Sequence, residues 1–504
     1  MKSTNLSLIA GTVALAAVTG FAALSAPGDA DTTGATAAAR LPVERSSLLC
    51  PAPGLSELAE TTYTSFTPAS AGGGEAGTAE LKPSVPTNAD GTTVKKDTKK
   101  KAADSDKPVV SLKEPGKPAT ADASGADAPA LVGTATGKLA PGWTTQQTTT
   151  VSTGASRGLL GVSCTGPDTD FWFPGASTAK SREDYVHLTN PDDTAAVADI
   201  ELYGPDGSLK SDVGEGITVP AGSSVPVLIS TLTSEAADDV TIHVTTRTGR
   251  VGAVVRAADG ATGSDWLTAS VDPTGTLVLP GIPADATSVR LVAFAPGEED
   301  ADLKLKLLGK TGAITPAGHE DLHIKSNMTA GVDLKDITRG EAGSLLLTPA
   351  QSGQATPVVA ALRVVRGTGD KQEVAYIPAT GPVGAQATVA GNRAKGSVLS
   401  LTAPGATGTV KVTASAGSGG GERTVKTYTV KGGTTLAVTP QVPAGLKGSY
   451  ALTVETESGG PVHAARTLAL PEDGIPMFTV QTLPDDGGTV EVPAAEQDLS
   501  VLDD

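Results

Sequence analysis

The chain repeats itself at a spacing of about one hundred residues, and this repetition constrains its fold more than any other feature. Three segments open on a short strand that reaches a proline: Phe171-Trp172-Phe173-Pro174-Gly175, Leu277-Val278-Leu279-Pro280-Gly281 and Val374-Ala375-Tyr376-Ile377-Pro378. Alternating strands follow at 185–189, 289–294 and 398–402, and again at 198–203, 303–307 and 410–413. In Leu303-Lys304-Leu305-Lys306-Leu307 the leucines face one way and the lysines the other, the pattern of a half-buried strand. Turn residues come next, in Gly204-Pro205-Asp206-Gly207 and Gly309-Lys310-Thr311-Gly312. A Pro-Ala-Gly segment recurs at Pro220-Ala221-Gly222 and Pro316-Ala317-Gly318, with a looser copy at Lys431-Gly432-Gly433. Each segment closes on a strand ending in arginine, at Arg256, Arg363 and Arg466.

Short strands separated by Gly/Pro turns predict an all-β chain of tandem β-sandwich, Ig-like domains. The first sandwich is expected from 40–66 plus 130–270, interrupted by an insertion at 68–129. The second is expected at 271–370, the third at 371–470, and C-terminal strands or a tail at 471–504. From Thr67 to Gly142 there is no aromatic residue, and Gly, Pro and charged residues are dense. Such composition buries too little surface to offset ordering entropy, so 68–129 reads as a disordered insertion. Its lysine cluster, Lys95 to Lys101, suits anionic wall polymer or lipid headgroups, or a plain solvated linker.

Charge narrows the function. With 38 Lys+Arg against 55 Asp+Glu the net charge is −17, which argues against a nucleic-acid partner, where basic stripes must neutralise phosphates. Two cysteines and five histidines leave little room for a zinc framework or an iron–sulfur site, and no cofactor is expected. Lys2 precedes an uncharged run at 6–26, long enough to span a bilayer. Residues 1–30 therefore read as a cleaved signal peptide or a retained transmembrane anchor. Either reading makes the protein extracytoplasmic, secreted or held at the membrane by one N-terminal helix. Cysteines there oxidise, and a Cys50–Cys164 disulfide is expected, worth up to ~4–5 kcal/mol in the chain-entropy view.

Two motifs look catalytic. His319-Glu320-Asp321-Leu322-His323 matches H-E-x-x-H, which binds zinc only when a helix sets both histidines on one face. Here it follows Pro316 and Gly318 and runs into strand alternation, so a strand or turn is expected. Gly154-Ala155-Ser156-Arg157-Gly158 matches G-x-S-x-G, but strands on both sides make it a hairpin loop. No catalytic or metal-binding residue is assigned, and the chain is read as a non-enzyme. Trp172 and Trp266 are candidate ligand-binding residues, because an exposed indole can stack on a sugar ring; core packing is the plainer reading.

The stretch from Leu41-Pro42-Val43-Glu44-Arg45 to Leu49-Cys50-Pro51, Cys164 ahead of Phe171-Trp172-Phe173-Pro174-Gly175, and Tyr185-Val186-His187-Leu188-Thr189-Asn190-Pro191 resemble an actinobacterial family of secreted or membrane-anchored proteins of unknown function. The resemblance implies an envelope location and a β-rich body, and it brings no catalytic residues. The expected function is a scaffold or accessory of envelope machinery, with an envelope protein or glycan as partner. A carbohydrate-binding module using the aromatics of the first domain is the first alternative, an envelope hydrolase the second.

Overall fold

The computed structural model describes residues 39–54, 56–69, 75–88, 92–93, 107–211, 213–351 and 355–492. The expected signal or anchor at 1–30, the lysine cluster and the tail beyond Val492 lie outside the described residues. Among the described residues the fold is all-β, in small, mainly antiparallel sheets with no α-helix. Alternation produces these strands as expected: in Ala301–Leu308 the leucines are buried and the lysines exposed.

One topology is used four times. Residues 170–267 show it in full, with eight main strands in chain order. These are Asp170–Ala176, Tyr185–Thr189, Ala196–Gly204, Ile217–Val219, Ser223–Leu228, Val240–Thr248, Gly252–Asp259 and Gly263–Leu267. The first, sixth, third and fourth make one sheet; the eighth, seventh, second and fifth make the other. The same two orders recur at 45–163, 277–378 and 386–482. In each unit the buried residues of both sheets share a core. The cores also interlock. Val365, Val374 and Tyr376 of the third unit complete the core of the second. Ala465, Phe478 and Val480 of the fourth complete that of the third.

Three expectations are corrected. The stretch 68–129 is not a bare linker: Ala79–Pro83, Val110–Leu112 and Ala119–Ser124 are the third, fourth and fifth strands of the first unit. Its aromatic poverty misleads because other strands supply the bulk. Ala79 and Leu81 pack with Tyr63, Leu131 and Trp143. Residues 40–66 and 130–270 therefore divide between two units. The third correction concerns register. Lys371–Pro378 is the eighth strand of the third unit, while the fourth opens on Gln386–Asn392. In the same way, Asp321–Ile324 pairs with Ala301–Leu308 as a fourth strand, not as the counterpart of Ser223–Leu228. Of the expected tail, Phe478–Thr482 is the eighth strand of the fourth unit, and Thr489–Val492 pairs with Ala39–Pro42 in a sheet of their own.

The disulfide is present. Cys50 ends the first strand of unit one and Cys164 follows its last, joining positions 114 residues apart. If the stretch 68–129 supplies core, Leu81→Ala should cost about 2–5 kcal/mol, as cavity-forming leucine substitutions do. Denaturant unfolding measures this; a linker residue would leave stability within about ±0.5 kcal/mol.

Candidate functional site

The eighth strand of every unit is an edge strand: Gly158–Ser163, Gly263–Leu267, Lys371–Pro378 and Phe478–Thr482. An edge presents unpaired N–H and C=O groups, which must be covered or satisfied. The four edges come together, each touching the next around a closed circuit. They are joined there by side chains. Leu159 N–H donates to Glu373 Oε1 at 3.0 Å, and Gly161 N–H donates to Asp265 Oδ1 at 2.9 Å. The Thr479 hydroxyl lies 3.2 Å from Asp265 Oδ1, and Gln481 Nε2 donates to Thr479 Oγ1 at 2.8 Å. Carboxylates of the second and third units thus stand in for strand carbonyls beside the first.

Close approach dictates the glycines. A Cβ on Gly158 would sit 2.3 Å from the Ser264 carbonyl, and one on Gly161 2.3 Å from Gln481 Nε2. Backbone and side chain occupy that space, so neither position takes a larger residue without displacement.

Burial sets the protonation. Glu373 is 0 % exposed, and desolvation pushes its carboxyl up to about 8 against the opposing Leu159 N–H and Arg157. Asp265 is raised well above the carboxylate range by burial, with the Gly161 N–H pulling the other way. Arg157 reaches the Gln372 carbonyl at 2.7 Å and lies 3.8 Å from Glu373. Around this axis run further links between units. Arg182 pairs with Asp184 at 2.7 Å and donates to the Tyr376 hydroxyl at 2.9 Å. Arg363 reaches Asp259 at 2.8 Å, and Arg290 grips Asp239.

The three repeat arginines diverge. Arg363 has its acid. Arg256 is buried with its guanidinium 4.9 Å from the Tyr185 ring centre. Arg466 is fully buried and donates to the Ala390 carbonyl at 3.4 Å; burial draws it down to about 9. Chemically, the axis is a closed lock. Its acids accept backbone amides, and its walls are other strands.

The residues singled out from sequence stand elsewhere. Trp172 is 8 % exposed, stacked on His243 at 3.6 Å and packed against Phe294. Trp266 is 2 % exposed with the His187 ring edge-on at 5.2 Å. Neither indole offers the open face that stacking on a sugar requires, because both sit where units abut. His319 lies in a turn and His323 in the strand Asp321–Ile324, where it meets Asp302 at 2.8 Å. The helix that the H-E-x-x-H motif needs is not formed at that segment. The segment 154–158 links two strands as a hairpin. Glu373, Asp265, Gly161, Thr479 and Gln481 escaped the sequence reading. Their signal is faint: apart from Gly161 they are polar residues of short strands that carry other polar residues as well, as in Lys371–Pro378 and Phe478–Thr482.

Residues 119–441 match the model of a family of unknown function, DUF5719. The match covers well over half the chain, from the fifth strand of the first unit into the fourth unit. No curated protein matches the chain.

Glu373 binds its proton more tightly folded than unfolded between its ordinary 4.5 and about 8. Its contribution to stability therefore falls as pH rises through that window. Thermal unfolding at pH 5.5 and pH 8.5 should show the loss, and Glu373→Gln should reduce it while keeping an acceptor for Leu159 N–H. An unchanged pH profile in the variant would contradict the assignment.

Proposed function

The chain belongs to the DUF5719 family of unknown function, and from that premise we propose that it is a non-enzymatic extracytoplasmic scaffold of the cell envelope. The observation that carries the reading is the central axis. Its four edge strands and buried acids are spent on holding four units in one body. In this reading the units are tandem Ig-like β-sandwiches, and partners meet their outer faces. The Cys50–Cys164 disulfide supports an oxidising compartment. The uncharged run at 6–26, as signal or anchor, supports export. The sequence resemblance supports the envelope. The partner is then an envelope protein or a wall glycan, and the protein acts by positioning it.

Two measurements on intact cells test this. A membrane-impermeant thiol reagent should label Cys50 and Cys164 only after reduction, with the label added from outside. Crosslinking at the cell surface should then capture envelope components. Free thiols in a cytosolic fraction would contradict the compartment. Capture of cytosolic proteins alone would contradict the role.

A further inference from the structure

At one end of the third unit, between its two sheets, lies a cavity of about 520 Å³, within the size range of small-ligand sites. Its apolar wall is an opening into the core. Leu307 and Leu334 belong to that core and Ile337 packs against it. Ile314, in the same wall, is 59 % exposed.

Two residues of the cavity wall, one ending the strand Thr329–Lys335 and one in the loop after it, hold unusual backbone angles. Four non-glycine residues have positive φ among the described residues: Asn327, Lys335, Arg339 and Asp473. Asn and Asp visit this region readily because their short side chains bond locally. Lys and Arg do not, and both line the cavity, at φ 54° and 47°. Backbone strain of this kind gathers at ligand clamps. Neither cation has an ion-pair partner among the described residues. Asp336 and Glu341 lie on the same loop and also line the cavity, so a ligand with several negative charges meets repulsion. His319, the first histidine of the H-E-x-x-H segment, adds a polar group to the rim.

We propose that this cavity binds a free single-chain amphiphile, its tail against Leu307, Ile314, Leu334 and Ile337, its one anionic head at Lys335 and Arg339. The site does not depend on the scaffold reading.

Calorimetric titration of the full chain with decanoate and with decylamine, both below micelle concentration, tests it. One decanoate should bind per chain, about tenfold or more tighter than decylamine. The double variant Lys335→Gly/Arg339→Gly removes both cations at backbone angles that glycine adopts freely. It should keep its fold by circular dichroism and lose decanoate affinity about tenfold, with no loss for decylamine. Ile314→Asp, at an exposed position, should weaken both ligands. No saturable binding, equal affinity for the two ligands, or a double variant that binds decanoate unchanged overturns the proposal. Co-flotation with phosphatidylglycerol vesicles without uptake of free decanoate would assign the surface to a membrane and overturn it too.

Discussion

The structure depends on a meeting of four strand edges. A unit of two four-stranded sheets leaves its eighth strand with one unpaired side, and that side is a liability in water. Here each unit turns that side inward against the others. Asp265 and Glu373 accept the amides that a neighbouring strand would otherwise satisfy. Burying two carboxyls costs free energy, and that cost raises the proton affinity of both. What the arrangement supplies is register. A carboxyl oxygen near 3 Å from one backbone N–H fixes where one unit sits along another. Removing either partner leaves an unsatisfied buried group, which is more costly than the bond alone.

The disulfide serves the same centre. Cys164 follows Ser163 directly, so the bond to Cys50 pins the end of the strand that offers Leu159 and Gly161 to the axis. Strand Val85–Pro86, in the first unit, adds parallel to Ser223–Leu228 of the second. Apolar packing runs on in the other direction, since the third unit completes the core of the second and the fourth that of the third. The four units within 45–482 therefore form a closed body rather than a string of independent domains. Some of its charged residues are used at the seams, as in Arg182 with Asp184 and Tyr376, or Arg290 with Asp239.

Much of the second and third units was legible in the sequence, for a physical reason. The third strands alternate strongly, as in 303–307, and their neighbours are hydrogen-bonded in one order throughout. The opening strand of the fourth unit was not legible. Pro378 imitates Pro174 and Pro280, but the shared requirement is a positive φ just beyond, at Gly175 (106°), Gly281 (89°) and Gly391 (74°). The first unit was hidden because Ala, Thr and Gly pack well only against large partners far away in sequence. Arg256, Arg363 and Arg466 were visible as a repeat signature. The burial of Arg256 and Arg466, and the reach of Arg363 to Asp259 of the second unit, were not, since they depend on how the sheets face each other.

Differential scanning calorimetry of the intact chain tests the central claim most directly. If the axis makes one body of four units, heating should give a single transition whose calorimetric and van't Hoff enthalpies agree. Two or more resolved transitions, persisting with the disulfide intact, would show units that unfold independently and would contradict the account.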